Sequence, residues 1–285
     1  MQLFDSIILG LIQGLTEFLP VSSSGHLVIS QHLLGFCEPE ILFDISVHVG
    51  TLAAIFFYFA SDIRRLVVHG CKLSVYAVTN RAAFLCHLKK WETRMILMIL
   101  VASVPTAIIG LLLEQVAETL FASTTLAGAM LLVTGCVLWA TRYVLPSLSG
   151  DNAAGTESSS DTKTMTYGKA VAVGIAQGLA VLPGISRSGA TISTALFLKT
   201  APAHAVRFSF LLSIPAILGA HLLKFDAYFE SAAIPWHLHA TGAVVACLSG
   251  CAALAVLMRV VKKGRLYIFA PYCWLVGIAV ILLLR

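Results

Sequence analysis

Two related stretches of the sequence decide the fold: GLIQGLTEFLPVSSSG at residues 10–25 and GIAQGLAVLPGISRSG at residues 174–189. A constant offset of 164 residues aligns their glutamines, a leucine, two serines and several glycines, while the prolines differ by one place. Each stretch interrupts an apolar segment whose halves are too short to cross a bilayer alone. Broken helices are tolerated in a membrane only where they are buried in protein or line a polar cavity. The sequence therefore predicts two re-entrant helical hairpins, at roughly 1–34 and 169–200.

The composition predicts an all-α polytopic membrane protein. Of the 285 residues, 58% are hydrophobic and 12% are charged, whereas a soluble domain carries roughly 25% charged residues. The N-terminus has neither a basic region nor a small-residue cleavage site, so we interpret it as part of the mature protein. Six apolar runs are long enough to form transmembrane helices, near residues 43–60, 95–113, 124–141, 205–223, 237–258 and 266–284.

The distribution of cations predicts the orientation. All but three of the 19 Lys and Arg residues fall in the connections assigned to the cytoplasmic side, and the exceptions are Arg187, Lys224 and Arg285. The positive-inside rule then places both termini outside. It also explains the net charge of +5 without a nucleic-acid partner. The first hairpin enters from the outside, and the second enters from the cytoplasm.

The two halves are predicted to form an inverted repeat within one membrane domain, 1–285. Three spans follow each hairpin, and because three is odd, the second half must be inverted relative to the first. Folds of this kind usually hold a polar site near the midplane, where the halves meet. The predicted parts are repeat 1 at about 1–142, a Gly/Ser-rich cytoplasmic linker at about 143–168 and repeat 2 at about 169–285.

The first hairpin contains an acid, an amide, three hydroxyls and an imidazole. Glu17 lies four residues after Gln13, so both occupy the same helical face, and a carboxylate at this depth is costly unless it is paired, hydrated or bound to metal. The break after Pro20 concentrates further polar groups, and serines at a helix start attract anions but also cap or pack helices. These groups are Ser22, Ser23, Ser24 and His26.

The second hairpin contains Arg187 within a loop rich in hydroxyl groups. Two glycines, Gly184 and Gly189, allow the backbone to turn and to approach a ligand closely. The guanidinium fits phosphate oxygens, although a structural ion pair with Glu17 is the simpler alternative. The remaining candidate ligands for an anion are Ser186, Ser188 and Thr191.

Together the two breaks suit phosphoryl transfer. The carboxylate of Glu17 can hold Mg²⁺ or Ca²⁺ against diphosphate oxygens, and Arg187 can stabilise charge on the transferred group. Ser23 and His26 are the alternatives for nucleophile or base. The predicted catalytic residues are Glu17, Ser23, His26 and Arg187.

The segments QGLTEFLPVSSSGHL and LPGISRSGATIS closely resemble the undecaprenyl-diphosphate phosphatase family of the bacitracin-resistance type. The resemblance continues through LFDISVHVGTLAAI and FSFLLSIPAILGA. It implies hydrolysis of undecaprenyl diphosphate, which recycles the lipid carrier for peptidoglycan synthesis and confers bacitracin resistance. It also implies a bacterial inner membrane protein whose site opens to the outer face. Gln13 and Glu17 match the acidic motif of the family, and metal binding is expected chiefly on Glu17.

Two other classes of function are compatible with parts of this pattern. A transporter or flippase of anionic lipids would need Arg187 and the helix ends, but it would not need Glu17 beside Ser23 and His26. A membrane scaffold would leave the charged groups unexplained. Asp44 and His48 are either supporting groups of the site or ordinary interfacial residues. The expected partners are the polyprenyl diphosphate and membrane lipid, and a homo-oligomer is compatible with the sequence.

Overall fold

In the computed structural model, the structure describes residues 1–36, 41–114, 116, 123–144, 165–223 and 235–283. Within these ranges the chain forms twelve α-helices, two short 3₁₀ helices and no strand. Most of the predicted linker, 145–164, lies outside the described residues. The α-helices are α1 (Leu3–Phe18), α2 (Ser23–Leu33), α3 (Ile41–Tyr58), α4 (Ala60–Thr79), α5 (Arg81–Leu88), α6 (Trp91–Glu114), α7 (Thr124–Ala140), α8 (Tyr167–Leu179), α9 (Arg187–Phe197), α10 (Pro202–Leu223), α11 (Trp236–Lys262) and α12 (Ala270–Leu283).

The long apolar helices define a multi-pass membrane protein. By length and composition, five spans within the described residues could each cross a bilayer, namely Trp91–Leu113, Thr124–Tyr143, Pro202–Leu223, Trp236–Lys262 and Leu266–Leu283. They coincide with five of the six predicted runs. The run predicted near 43–60 corresponds to α3, which reaches the same standard only together with α4, across a bend of 82°.

The bend between α3 and α4 follows a change in the sequence from apolar to charged residues. Asp62 lies in the first turn of α4. Its Oδ2 atom forms an ion pair with the Nε atom of Arg207 of α10 at 3.1 Å, which fixes the new direction of the chain. The following segment, one of the cation-bearing connections assigned to the cytoplasmic side, includes α4 and α5. Its seven cations are all exposed: Arg64, Arg65, Lys72, Arg81, Lys89, Lys90 and Arg94.

Helix breaks occur in both related stretches, as the sequence predicted. α1 ends at Phe18 and α2 begins at Ser23, whereas α8 ends at Leu179 and α9 begins at Arg187. A proline lies in each break and cannot continue the helical hydrogen-bond ladder. Each break therefore places the start of a new helix within the interrupted segment.

Each broken helix packs against a long helix from the other half of the chain. A Cβ atom at Gly10 of α1 would lie 2.6 Å from the Gly242 carbonyl oxygen of α11. A Cβ atom at Gly174 of α8 would lie 2.1 Å from the Ala102 carbonyl oxygen of α6. Backbones approach this closely only where side chains are minimal, so aligned glycines determine both contacts.

The outer surface is apolar, as expected where helices face lipid. Leu100 of α6, Leu248 of α11 and Leu275 of α12 are 58%, 68% and 70% exposed. A water-soluble monomer rarely exposes large apolar residues over such an area. The polar groups described next are instead buried or half-buried at the breaks.

Candidate active site at the two helix breaks

Glu17, in the last turn of α1, is the point at which side chains from both breaks meet. Its Oε2 atom accepts hydrogen bonds from the Gln13 amide at 2.9 Å and from the Ser23 hydroxyl at 2.6 Å. Its Oε1 atom accepts a hydrogen bond from Arg187 at 2.5 Å. The residue is only 9% exposed, so these donors replace the water that an ionised carboxylate would otherwise need.

Arg187 enters the site because the second break ends directly before it. The Ser186 hydroxyl accepts a hydrogen bond from the Gly189 amide at 3.1 Å and caps the helix. Ser186 and Ser188 have their hydroxyl oxygens 3.2 Å apart, and the Thr191 hydroxyl donates to the Arg187 carbonyl at 2.9 Å. The capping role that we considered for such serines is therefore observed at Ser186, and it holds Arg187 at a helix N-terminus suited to anions.

Thr134, which lies on the neighbouring helix α7, fixes the second break by two hydrogen bonds. Its hydroxyl donates to the Gly184 carbonyl at 3.0 Å and accepts from the Ser186 amide at 3.2 Å. Gly184 has φ +91°, and a Cβ atom there would lie 2.1 Å from the Ala127 carbonyl oxygen. The close approach that we expected toward a ligand at Gly184 is thus toward α7. Sequence reasoning missed Thr134, and its only signal is a polar residue in the apolar run LLVTGCVL.

The three serines of the first break have different surroundings. Ser23 alone reaches Glu17, at the distance quoted above. Ser22 has φ 68°, an uncommon conformation for a residue other than glycine. The hydroxyl oxygens of Ser22 and Ser24 lie 3.5 Å apart, and that of Ser22 forms no cap hydrogen bond. The strained turn at Ser22 therefore brings Ser23 back toward the end of α1.

His26 is directed away from Glu17, contrary to the expectation that the two would act side by side. Its Nδ1–H donates to the Ser22 carbonyl at 2.8 Å, because a carbonyl can only accept. Its Nε2 atom lies 2.7 Å from the Tyr272 hydroxyl, and the two rings stack with centroids 5.6 Å apart. Sequence reasoning also missed Tyr272, because its position depends on how α12 packs against α2.

His48 is the histidine nearest to Glu17. Its Nε2 atom lies 3.8 Å from the Glu17 Oε2 atom, which is too long for a hydrogen bond but short enough for an electrostatic contact. Its Nδ1–H donates to the Asp44 carbonyl at 2.7 Å, which fixes the ring. The structure thus favours the supporting role for His48, one of the two alternatives left open by the sequence.

A narrow cavity opens beside the ion pair of Glu17 and Arg187, with room for roughly one water molecule. Ser188 and Thr191, both predicted site residues, line it. Two serines of α10, Ser209 and Ser213, line it as well but escaped sequence reasoning. Their signal is a pair of hydroxyls four residues apart in the apolar run FSFLLSIP. The remaining walls are apolar and consist of Phe18, Ile55 and Phe210.

The residues present fit a divalent cation only if the substrate supplies further ligands. The described residues include no group of three or more His, Cys, Asp or Glu that could hold a metal ion. Mg²⁺, however, is commonly held by one or two carboxylates together with substrate phosphates and water. Glu17 supplies one carboxylate. The buried Oε1 atom of Gln13 has no partner within the described residues. It therefore offers a neutral carbonyl ligand next to the Glu17 carboxylate.

The fold and the site define a multi-pass α-helical membrane protein with a buried, charged site suited to anions. The family model for the bacitracin resistance protein BacA matches residues 6–279, and the chain belongs to this family. An undecaprenyl-diphosphatase from Desulfatibacillum aliphaticivorans is 47% identical over 285 residues, covering 99% of this chain and 98% of the relative. One from Desulfosudis oleivorans is 47% identical over 277 residues, covering 97% of both.

Proposed function

We propose that this chain hydrolyses undecaprenyl diphosphate to undecaprenyl phosphate and inorganic phosphate. The observation that carries the proposal is the joint contact of Ser23 and Arg187 with Glu17, which unites a nucleophile, a base and a cation from two distant segments. The names and full-length similarity of the relatives support the same reaction. In the cell, this activity would recycle the lipid carrier for peptidoglycan synthesis and oppose bacitracin.

The reaction begins when the diphosphate takes the place of Glu17 as the partner of Arg187. The guanidinium and the N-terminus of α9 then bind the oxygens of the terminal phosphate and stabilise the charge that spreads over them during transfer. Ser188 and Thr191 line the same cavity. Ser188 supplies a hydroxyl group next to these oxygens, whereas the Thr191 hydroxyl donates to the Arg187 carbonyl. The apolar walls exclude bulk water and so strengthen each of these interactions.

Ser23 is the nucleophile that the geometry supports best. Its hydroxyl already donates to Glu17, the arrangement of a nucleophile beside its base. The Ser23 oxygen bonds to the terminal phosphorus while its proton passes to Glu17. The bond from that phosphorus to the bridging oxygen breaks, and undecaprenyl phosphate leaves. Water then attacks the phosphorus of the phosphoserine, the bond from phosphorus to the Ser23 oxygen breaks, and the proton held by Glu17 returns to that oxygen as inorganic phosphate leaves. His26 is less suited to attack because its Nε2 atom faces Tyr272.

A divalent cation, Mg²⁺ or Ca²⁺, would be held by Glu17 and the Gln13 carbonyl together with the substrate. When bound, it supplies positive charge that neutralises the diphosphate oxygens. The partnerless Gln13 Oε1 atom beside the carboxylate supports this assignment. A transporter has no use for the contact between Ser23 and Glu17, so that alternative is not favoured.

For the membrane arrangement we propose six spans and two re-entrant hairpins, related as an inverted repeat within a single domain. The exchange of packing partners supports this symmetry, because α1 packs on α11 and α8 packs on α6 at glycines aligned by the same offset. The orientation proposed from the cations places both termini outside. The hairpin carrying Glu17 then opens to the outer face of the bacterial inner membrane.

The test is phosphate release from undecaprenyl diphosphate by the detergent-purified protein, with and without EDTA. Arg187→Ala is expected to lower kcat at least about a hundredfold, since it removes a charge-stabilising group. Arg207→Ala is the matched control, because Arg207 also pairs with a carboxylate but lies outside the cavity. A folded wild-type protein without activity on this and shorter diphosphates would contradict the proposal, and unchanged activity with EDTA would contradict the metal.

A further inference from the structure

Ser209 of α10 has a buried hydroxyl without a partner. The residue is 3% exposed, and its Oγ atom has no hydrogen bond to any part of the chain that the structure describes. Burying a hydroxyl in this way is unfavourable, and native proteins seldom leave such a group without a ligand or water. Ser209 is one of the residues that line the cavity beside Glu17 and Arg187, so that cavity is the nearest place for the missing partner.

The local behaviour of Ser209 differs from that of other helical serines nearby. A serine within a helix commonly donates to a carbonyl three or four residues earlier. Ser213, one turn later on the same face, does so to the Phe210 carbonyl at 2.8 Å. Ser249 of α11 does so to the Val245 carbonyl at 2.7 Å. Ser209 makes no such bond, so its proton remains available to the cavity.

Aromatic packing fixes the position of Ser209 relative to Glu17. The neighbouring Phe210 ring contacts the Phe18 ring edge-on, with centroids 5.6 Å apart, and stacks on Phe59 at 6.0 Å. Phe18 directly follows Glu17 in the chain, so this contact joins α10 to the end of α1. The Ser209 side chain is thereby held beside the aromatic rings of Phe18 and Phe210, in low-dielectric surroundings where a hydrogen bond to an anion is strong.

We infer that Ser209 is a further substrate-binding residue whose hydroxyl donates to a phosphate oxygen of the diphosphate group. Phosphate oxygens can only accept hydrogen bonds, and Arg187 and the start of α9 already supply donors from another wall of the cavity. Ser209 adds a neutral donor from α10, so two helices of the second repeat, α9 and α10, hold the headgroup from different sides. This inference rests on the proposed function, because it assigns the ligand of the same cavity.

Ser209→Ala tests the inference, with Ser193→Ala as the matched control. Ser193 also has a buried hydroxyl without a partner in the described residues, but it does not line the cavity. Ser209→Ala is expected to raise both KM and the inhibition constant of inorganic phosphate about tenfold, the loss of one hydrogen bond to a charged group. Ser193→Ala is expected to change neither, and thermal unfolding in detergent verifies that both variants are folded.

Binding is also measured without turnover, as the rise in Tm that inorganic diphosphate produces. The wild type is expected to show this rise, and Ser209→Ala is expected to show a smaller one. An active wild type with an unchanged KM, inhibition constant and Tm response in Ser209→Ala overturns the inference. A lower kcat alone overturns it too and assigns Ser209 to the attacking water. An inactive wild type that still shows the Ser209-dependent Tm response contradicts the hydrolysis but supports the binding residue.

Discussion

The two helix breaks are similar in sequence but differ in their chemistry. At the offset of 164 residues, Gln13 aligns with Gln177, and the flanking glycines also coincide. Glu17, however, aligns with Val181, and Ser23 aligns with Arg187. The glycines shared by both copies pack helices, whereas Glu17, Ser23 and Arg187, at positions that differ between the copies, supply the acid, the hydroxyl and the cation. A duplicated frame can therefore build a single asymmetric site, because each copy contributes a charged group that the other lacks.

The breaks also differ in how a neighbouring helix holds them. The Gly184 carbonyl accepts a hydrogen bond from the Thr134 hydroxyl at 3.0 Å. The carbonyl of Pro20, the residue aligned with Gly184, accepts one from the Cys273 thiol at 3.4 Å. A thiol is a weaker donor than a hydroxyl, so the break carrying Arg187 is held more firmly than the break carrying Ser23.

The largest expected effect separates the serines of the two breaks. Ser23→Ala should lower kcat at least about a thousandfold, because it removes the proposed nucleophile. Ser186→Ala removes a helix cap and should instead cost about 1 kcal/mol of stability, seen as a lower Tm with most of the activity retained. Phosphate release and thermal unfolding in detergent measure the two effects. Equal losses of activity in both variants would contradict the division of roles.

The second prediction concerns the glycines that the two copies share. A Cβ atom at Gly14 would lie 2.4 Å from the Ala246 carbonyl oxygen, and one at Gly178 would lie 2.7 Å from the Ile109 Cβ atom. Alanine at either position should cost about 1–3 kcal/mol through overpacking, lowering Tm by similar amounts. Gly219→Ala is the control, because nothing lies within 4 Å of that Cβ position. A fall in Tm for only one of the two variants would contradict the claim that both shared glycines are equally necessary for helix packing.

The smallest expected effect distinguishes the helices that hold the breaks. Thr134→Val keeps the shape of the side chain but removes the donor to Gly184 and the acceptor for the Ser186 amide, at a cost of about 1–2 kcal/mol. Cys273→Ala removes only a weak thiol donor and should cost less. Thermal unfolding of the two variants provides the comparison. A larger fall in Tm for Cys273→Ala than for Thr134→Val would contradict the inference that the break carrying Arg187 is held more firmly.

Local pattern in the sequence predicted the parts of the site that depend on a single helix or break. The spacing of Gln13 and Glu17 put both on one face, and the structure joins them by a hydrogen bond. The costs of burying Arg187 and Glu17 predicted that each needs a partner, and they pair with each other. Five of the apolar runs became long helices because length and composition alone determine whether a segment can span a bilayer.

The remaining features depend on which distant helices meet, which no local pattern encodes. Thr134, Ser209 and Tyr272 each lie in an apolar run far from the breaks, and their polar groups acquire a role only through packing between helices. The contact of His26 with Tyr272 depends on α12 in the same way, since the turn at Ser22 directs the imidazole toward that helix. The bend after α3 was missed for a related reason, since its anchor, Arg207, comes from the other half.

The ion pair of Glu17 and Arg187 sets an entry condition in a membrane crowded with other phosphate-bearing lipids. A headgroup can occupy the site only if its contacts with Arg187 offset the loss of that ion pair, whose carboxylate is nearly buried. A phosphodiester headgroup offers Arg187 a single, widely shared negative charge. A terminal diphosphate carries more charge on less bulk. The ion pair therefore selects lipids by the charge density of their headgroups before any chemistry occurs, and the abundant phosphodiester lipids of the bilayer do not compete for the site.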